Sequence, residues 1–264
     1  MKILVVIKQV PDSTTNIRIR PDGEDIDRTG VKMVLDPFAE FAVEQGVQLK
    51  EKRGDVESVT ALVVGPQRAA EALRTALAVG ADEGIHLQDE AFDALDELQT
   101  AALVAKVIAD GGYDFVLCGK QEIDLDSGQT GPALAEALGW PHVGAATKLE
   151  IAEDGRSLLA HRRIEGAEEV VEVSLPALIT CEKGLCEMRY PSLPNLMKAK
   201  KKPVKVISKG DVPDFEAVVA SVGGAQLHRF APPPERPPGK ILEGETDQKV
   251  RQLVKLLREE AKAI

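Results

Sequence analysis

The chain is predicted to be an α/β protein: a doubly wound, mostly parallel sheet, then a small antiparallel segment, then an extended C-terminal arm ending in a helix. Three observations predict this. Apolar runs with no polar alternation take turns with stretches of helical spacing as far as Leu138, which is how strands buried on both faces and their covering helices read. After Trp140-Pro141 the runs become short and are separated by turn residues, as in hairpins. Past Lys183 the pattern loses its regularity, and it returns only near the C-terminus.

The first strand is Ile3–Ile7, followed by a polar loop with turn formers at Pro11-Asp12-Ser13 and Pro21-Asp22-Gly23. Asp36-Pro37 starts a helix, Asp as the N-cap and Pro in the first turn, with Phe38, Phe41, Ala42, Gln45 and Leu49 at near-helical spacing. Ser58–Val64 is the second strand, stopped by Gly65-Pro66, and the helix after it runs from Gln67 to Ala78 with Gly80 as its stop. Ile85–Leu87 is a short third strand, Leu98–Ile108 an alanine-rich helix, Phe115–Cys118 the fourth strand, and Pro132–Leu138 part of the next helix. Such alternation marks an open parallel sheet. Thr147–Ile151, Leu158–Ile164 and Val170–Val173 are expected as antiparallel strands, and Pro176–Thr180 as one more core strand. Asp247–Lys262, apolar at Val250, Leu253, Val254, Leu256 and Leu257, is an amphipathic helix.

Composition removes several classes of function. The formal net charge is −10, and nucleic-acid binding needs cations to neutralise phosphates, so no nucleic-acid partner is expected. Aromatic residues are 3% of the chain, so the core is aliphatic. Cys118, Cys181 and Cys186 are too few and too irregular for a disulfide framework and fit a reducing compartment. The opening apolar run is bracketed by Lys2 and Lys8 and too short for a signal core of roughly 7–15 residues. The expectation is therefore a cytoplasmic chain without membrane insertion. No Walker-type, Rossmann or nucleophile-elbow motif is present, the four histidines lie in unrelated contexts, and no metal site or catalytic set is expected.

One loop carries a chemical signal. Gly119-Lys120-Gln121-Glu122-Ile123-Asp124-Leu125-Asp126-Ser127-Gly128-Gln129-Thr130-Gly131-Pro132 joins the carboxyl end of the fourth strand to a helix, the edge where open α/β sheets bind ligands. The free N–H groups of the helix's first turn favour a phosphate there, although an ordinary capped βα loop has the same pattern. A second stretch, Gly184–Val206, sets Arg189, Lys198, Lys200, Lys201, Lys202 and Lys205 against the single acid Glu187. Within it Tyr190-Pro191-Ser192-Leu193-Pro194-Asn195-Leu196-Met197 is expected to be extended, an apolar tip in a basic field suited to docking an acidic partner. A solvated charge run beside a buried loop is the alternative.

Four blocks in order resemble the β subunit of the electron-transfer flavoproteins. They are the N-terminal run Lys2–Val10, the Gly119–Gly131 loop, Arg163–Thr180 with Glu165-Gly166 and Leu175-Pro-Ala-Leu-Ile-Thr180, and Leu193-Pro-Asn-Leu-Met-Lys-Ala-Lys200. The resemblance implies an adenine nucleotide alpha hydrolase-like fold that buries AMP, and no catalytic residues of its own. It also implies a heterodimer with an α subunit that holds most of the FAD. Carried over by position, the nucleotide contacts are Val6, Asp36, Pro37, Phe38, Ala39, Val64, Gly119, Lys120, Gln121, Glu122, Ile123, Asp124, Leu125, Asp126, Ser127, Gly128, Gln129 and Thr130. The loop bearing Leu193, supported by Arg189, Tyr190, Pro194 and Met197, is implied to recognise flavin dehydrogenases such as acyl-CoA dehydrogenase, with a quinone oxidoreductase as acceptor.

The implied organisation is a nucleotide-binding domain over 1–182 that includes the antiparallel segment 147–175, a recognition loop over 183–206, and an arm and helix over 207–264 that wrap the α subunit. Asp36 and Ser13 depart from the family pattern, which often has Asn at the first position and in some members an aromatic residue near the flavin at the second. Two other readings are open: a bifurcating-type subunit with a second FAD in the AMP position, and a stand-alone ATP-binding signalling module.

Overall fold

The computed structural model describes residues 1–225, 228–236 and 238–264; Gln226, Leu227 and Pro237, the last within the proline-rich run, lie outside the described residues. In chain order the elements are β1 (Lys2–Ile7), β2 (Gln9–Pro11), β3 (Met33–Leu35), α1 (Pro37–Lys52), β4 (Ser58–Gly65), α2 (Ala70–Val79), β5 (Glu83–Gln88), α3 (Glu97–Ile108), β6 (Phe115–Gly119) and α4 (Thr130–Leu138). They continue with β7 (His142–Ile151), β8 (Ser157–Ile164), β9 (Ala167–Ser174), β10 (Ala177–Cys181), α5 (Leu193–Ala199), β11 (Val204–Ile207), α6 (Phe215–Ser221) and α7 (Thr246–Glu259).

The uniform apolar character of β1 places it between two parallel neighbours, with Ile3 opposite Val59 of β4 and Phe115 of β6. The nine-stranded sheet runs β11-β5-β4-β1-β6-β10-β7-β8-β9. Residues of β1 alternate between its two covers: Ile3, Val5 and Ile7 pack with α1 and α2, while Leu4 and Val6 pack with α3, α4 and Phe215 of α6. That is a doubly wound sheet, as the sequence predicts. The strand order reverses between β1 and β6, and in open α/β sheets the carboxyl edge at such a switch point is the crevice that takes ligands.

Local chemistry sets the helix ends. Asp36 caps α1, its side chain accepting from the N–H groups of Phe38 and Ala39. Asp96 and Gln99 form a capping box on α3. Gly80 ends α2 with φ of 156°, where a Cβ would also lie 2.7 Å from Val47.

The structure departs from the sequence reading in several places. β7 begins at His142 rather than Thr147; its first half pairs in parallel with β10 and its second half in antiparallel with β8, so the hairpins continue the main sheet. The small residues Gly144-Ala145-Ala146 hid the first half from pattern reading. β2 and β3 form a separate two-stranded antiparallel sheet, too short to give a period.

The chain past Lys183 is also more regular than expected. β11 joins the edge of the sheet parallel to β5, and Pro203 just before it still lends its carbonyl to Gly84 N–H at 2.9 Å. The segment expected to be extended is helix α5: Ser192 caps it, and Pro194 sits in the first turn, where an N–H has no helical acceptor to lose. The arm touches the domain at Ala225, whose N–H donates to Asp96, and at Phe230, whose N–H donates to the Gly23 carbonyl at 2.8 Å. Helix α7 buries none of its residues, and its apolar face at Val250, Leu253 and Val254 is exposed. Among the described residues no helix is long and apolar enough to cross a membrane.

Candidate functional site

The crevice is built where β1, β4 and β6 end. Val6 is the next-to-last residue of β1, Val64 the next-to-last of β4, and Gly119 ends β6, so these predicted contacts share one edge. The N-terminus of α1 lies against that edge through Gly119, where an added Cβ would meet Phe38 Cβ at 2.8 Å and Ala39 N at 3.0 Å. Only a residue without Cβ lets the two segments approach this closely.

Asp36 joins the crevice walls. Its carboxylate is fully buried; Oδ1 accepts from Phe38 and Ala39 at 2.8 and 3.2 Å, and Oδ2 accepts from Ile123 at 2.8 Å. One side chain thus caps α1 and latches the 119–130 loop to it. Burial pushes its pKa up from the ordinary carboxylate value, against the pull of those N–H groups.

The loop's other side chains largely engage one another and the frame. Lys120 Nζ pairs with Glu182 at 2.6 Å and lies 5.2 Å from the Phe38 ring centre. Gln121 donates to Asp126 at 2.8 Å, Ser127 donates to Glu97 at 2.7 Å, and Lys8 bridges to Asp124 at 2.9 Å. Glu122 is pushed up in pKa by burial, and its Oε2 has no hydrogen-bond partner among the described residues. Leu125 is exposed, and Asp126 takes a left-handed φ of 53°, an uncommon conformation for a non-glycine residue.

The backbone supplies the chemistry. Among the described residues, no acceptor takes up the N–H groups of Ser127, Gly128, Gln129, Thr130 or Gly131. They precede and open α4, whose N-cap Gln129 makes no side-chain cap bond, so the positive end of the helix is left open to the crevice. Gly131 is held against the sheet: its Cβ would stand 2.5 Å from Thr180 Cγ2 and 3.0 Å from Cys118 Sγ.

Lys8, Glu97 and Glu182 take part in this network and were not among the predicted contacts. Glu182 directly follows the last core strand and Lys8 the first, so a strand-end rule would have found both. The cysteines play no part in the crevice chemistry: Cys118 and Cys181 are buried free thiols, and burial pushes Cys186 up to about 12. His86, fully buried, has its Nε2 against the Gly65 carbonyl at 3.1 Å, and burial lowers its pKa, keeping it neutral.

The second candidate surface is α5. Tyr190 is 95% exposed and Leu193 74%, with Leu196 and Met197 exposed one helical turn along from Leu193. Pro194 is exposed beside them, while Ala199 turns inward. The guanidinium of Arg189 is directed into the chain, onto Glu44 and Glu51.

A doubly wound sheet with an open helix N-terminus at its switch point is the class of α/β protein that takes its ligands at the carboxyl edge of the sheet. The electron transfer flavoprotein domain model matches residues 25–212. The chain is 38% identical over 266 residues to the electron transfer flavoprotein subunit beta of Bacillus subtilis (strain 168), covering 100% of both chains. It is 42% identical over 214 residues to the Homo sapiens subunit beta, covering 80% of this chain and 83% of the human one. It is 37% identical over 266 residues to an Arabidopsis thaliana protein named as the mitochondrial subunit beta, covering 100% of both. The chain belongs to the electron transfer flavoprotein β-subunit family.

Proposed function

We propose that this chain is the nucleotide-holding half of a heterodimeric electron carrier, with AMP in the crevice and the redox-active FAD held mainly by an α subunit. Membership of a β-subunit family implies the α partner and an association with flavin and nucleotide. The observation that carries the AMP reading is the run of N–H groups from Ser127 to Gly131, at the start of α4, that have no acceptor among the described residues. These groups fit a phosphate, and Phe38, Ala39 and Val64 border the space where a nucleoside would lie.

Lys8 and Lys120 are each already paired with a carboxylate, so the phosphate reading rests on backbone N–H groups rather than on free cations. The nucleotide's role is structural: it gives the orphan donors a partner and stabilises the folded subunit by mass action.

The flavin supplies the redox chemistry when bound to the α subunit. This chain's part is to present α5 to a reduced flavin dehydrogenase such as acyl-CoA dehydrogenase, and to hold the carrier together while electrons pass on to a quinone oxidoreductase or another acceptor. The exposed Tyr190, Leu193 and Met197 support that reading: apolar anchors near Lys198, Lys200 and Lys201, in a chain that is acidic overall.

Nucleotide and flavin counts test the first part. Acid-denatured heterodimer is expected to release about one AMP and one FAD per complex, by the one-site stoichiometry of a single crevice. Two FAD and no AMP would overturn it. For the second part, Leu193→Ala is expected to leave heterodimer assembly and flavin content unchanged while raising the KM for reduction by the dehydrogenase about tenfold or more, the scale of losing one buried anchor. Unchanged reduction kinetics in that variant would remove the docking role.

A further inference from the structure

The structure assigns Arg189 the role of a positioning residue: it contacts no partner itself, but ties the segment leading into α5 to α1, while α5 packs against α2, so that Leu193 is presented in one orientation. The inference rests on the docking reading of α5. Its basis is the arrangement of charges on α1. Glu44 and Glu51 stand two helical turns apart on one face, with Gln48 between them. Arg189 bridges both acids: Nε lies 2.8 and 3.0 Å from the Glu44 oxygens, Nη2 2.9 Å from Glu44 and 2.7 Å from Glu51, and Nη1 2.6 Å from Glu51. Gln48 Nε2 adds a bond to the Glu187 carbonyl at 3.2 Å.

The far end of the segment is tied as firmly. Lys202 Nζ donates to the carbonyls of Leu77 and Ala81 at the C-terminal end of α2, at 2.8 and 2.6 Å, and Ala199 is buried. Residues 190–198 are therefore an exposed bracket between two polar anchors on different helices.

Glu44 is only 1% exposed. An ion network that buries one carboxylate while its Arg189 stays 33% exposed is a poor device for stability alone, since desolvating that carboxylate offsets much of the attraction. A guanidinium fork held by two carboxylates fixes orientation as well as position. A surface helix of seven residues has little stability of its own, so its geometry depends on what holds its ends. A preorganised tip binds more tightly because its ordering cost is met before the encounter.

The test uses the assembled heterodimer carrying Arg189→Met together with Glu44→Gln, so that no buried charge is stranded. Arg189→Lys is the milder variant, keeping the charge and losing the fork. Hydrogen exchange of the amides in 193–199 and steady-state reduction by the dehydrogenase are read side by side. The double variant is expected to exchange these amides faster and to raise the dehydrogenase KM about tenfold, with kcat and flavin content unchanged, and Arg189→Lys is expected to fall between it and the native protein. Unchanged exchange overturns the positioning role whatever the kinetics show, and so does faster exchange with an unchanged KM while Leu193→Ala still raises it. An unchanged KM in Leu193→Ala itself sinks the docking reading instead, and the exchange measurement alone then decides whether Arg189 fixes α5.

Discussion

Gly131→Ala is expected to deplete the mononucleotide proposed to bind at the switch point and to lower the melting temperature of the subunit. The new methyl would stand 2.5 Å from Thr180 Cγ2 and 3.0 Å from Cys118 Sγ, on strands β10 and β6 at the centre of the sheet. Neither neighbour can yield easily: Thr180 Oγ1 accepts from Ala145 N–H at 2.8 Å, and Cys118 is buried between strands. The first turn of α4 must therefore lift from the sheet, and that turn carries the N–H groups proposed to hold the phosphate. Overpacking of this kind costs about 1–3 kcal/mol, and a displaced anion site loses affinity in addition. Nucleotide released on denaturation and thermal melts measure the two effects. Gly54→Ala, whose added Cβ meets nothing within 4 Å, is the control and is expected to match the native protein. Native nucleotide content and native melting in Gly131→Ala would show that the first turn of α4 is not the tight point the geometry makes it.

Asp36→Asn is expected to keep the cap of α1 and to lose the latch on the 119–130 loop. Both carboxylate oxygens act as acceptors, Oδ1 toward Phe38 and Ala39 and Oδ2 toward Ile123. Asparagine has one acceptor oxygen, so if that atom serves the cap its NH2 faces the Ile123 N–H, donor against donor. Leaving a buried donor unpaired costs about 1–3 kcal/mol, which corresponds to about tenfold or more in AMP affinity if the loop must order on binding. Equilibrium dialysis of AMP against apo heterodimer measures the loss, and an affinity equal to that of the native protein would remove Asp36 from the site.

The same substitution has a pH signature. Because burial raises the Asp36 pKa above its unfolded value, the stability it contributes is fully present below the unfolded carboxylate pKa and is lost as pH rises through the raised folded value. The asparagine side chain of the variant does not titrate. The stability gap between native protein and variant is therefore expected to narrow as the pH is raised from the acid side through that window. Denaturant titrations at a series of pH values read the gap directly.

What pattern alone made legible was the periodic part of the fold. Uniform apolar runs at Ile3–Ile7 and Phe115–Cys118 predict strands covered on both faces, and both lie in the core of the sheet. Asp36-Pro37 predicts a capped helix start, and the cap is present. The 119–131 loop stands out as a candidate ligand edge because a strand end, glycines and a helix start fall together in sequence. Elements without a period were not legible. β2 and β3 are too short, the first half of β7 is made of small residues, and β11 follows a proline on an edge. α5 was obscured because prolines signal extended chain unless their place relative to a cap is known, and Ser192 supplies that cap.

Local periodicity and steric rules in neighbouring residues specify the fold class, and four matched blocks in order specify the family. The tertiary structure alone decided which charges meet. Arg189 with Glu44, Lys120 with Glu182, Ser127 with Glu97 and Asp36 with Ile123 join residues remote in sequence. A chain of net charge −10 offers every cation many acidic partners of equal chemical merit. Burial and distance, set only once the sheet has assembled, select among them.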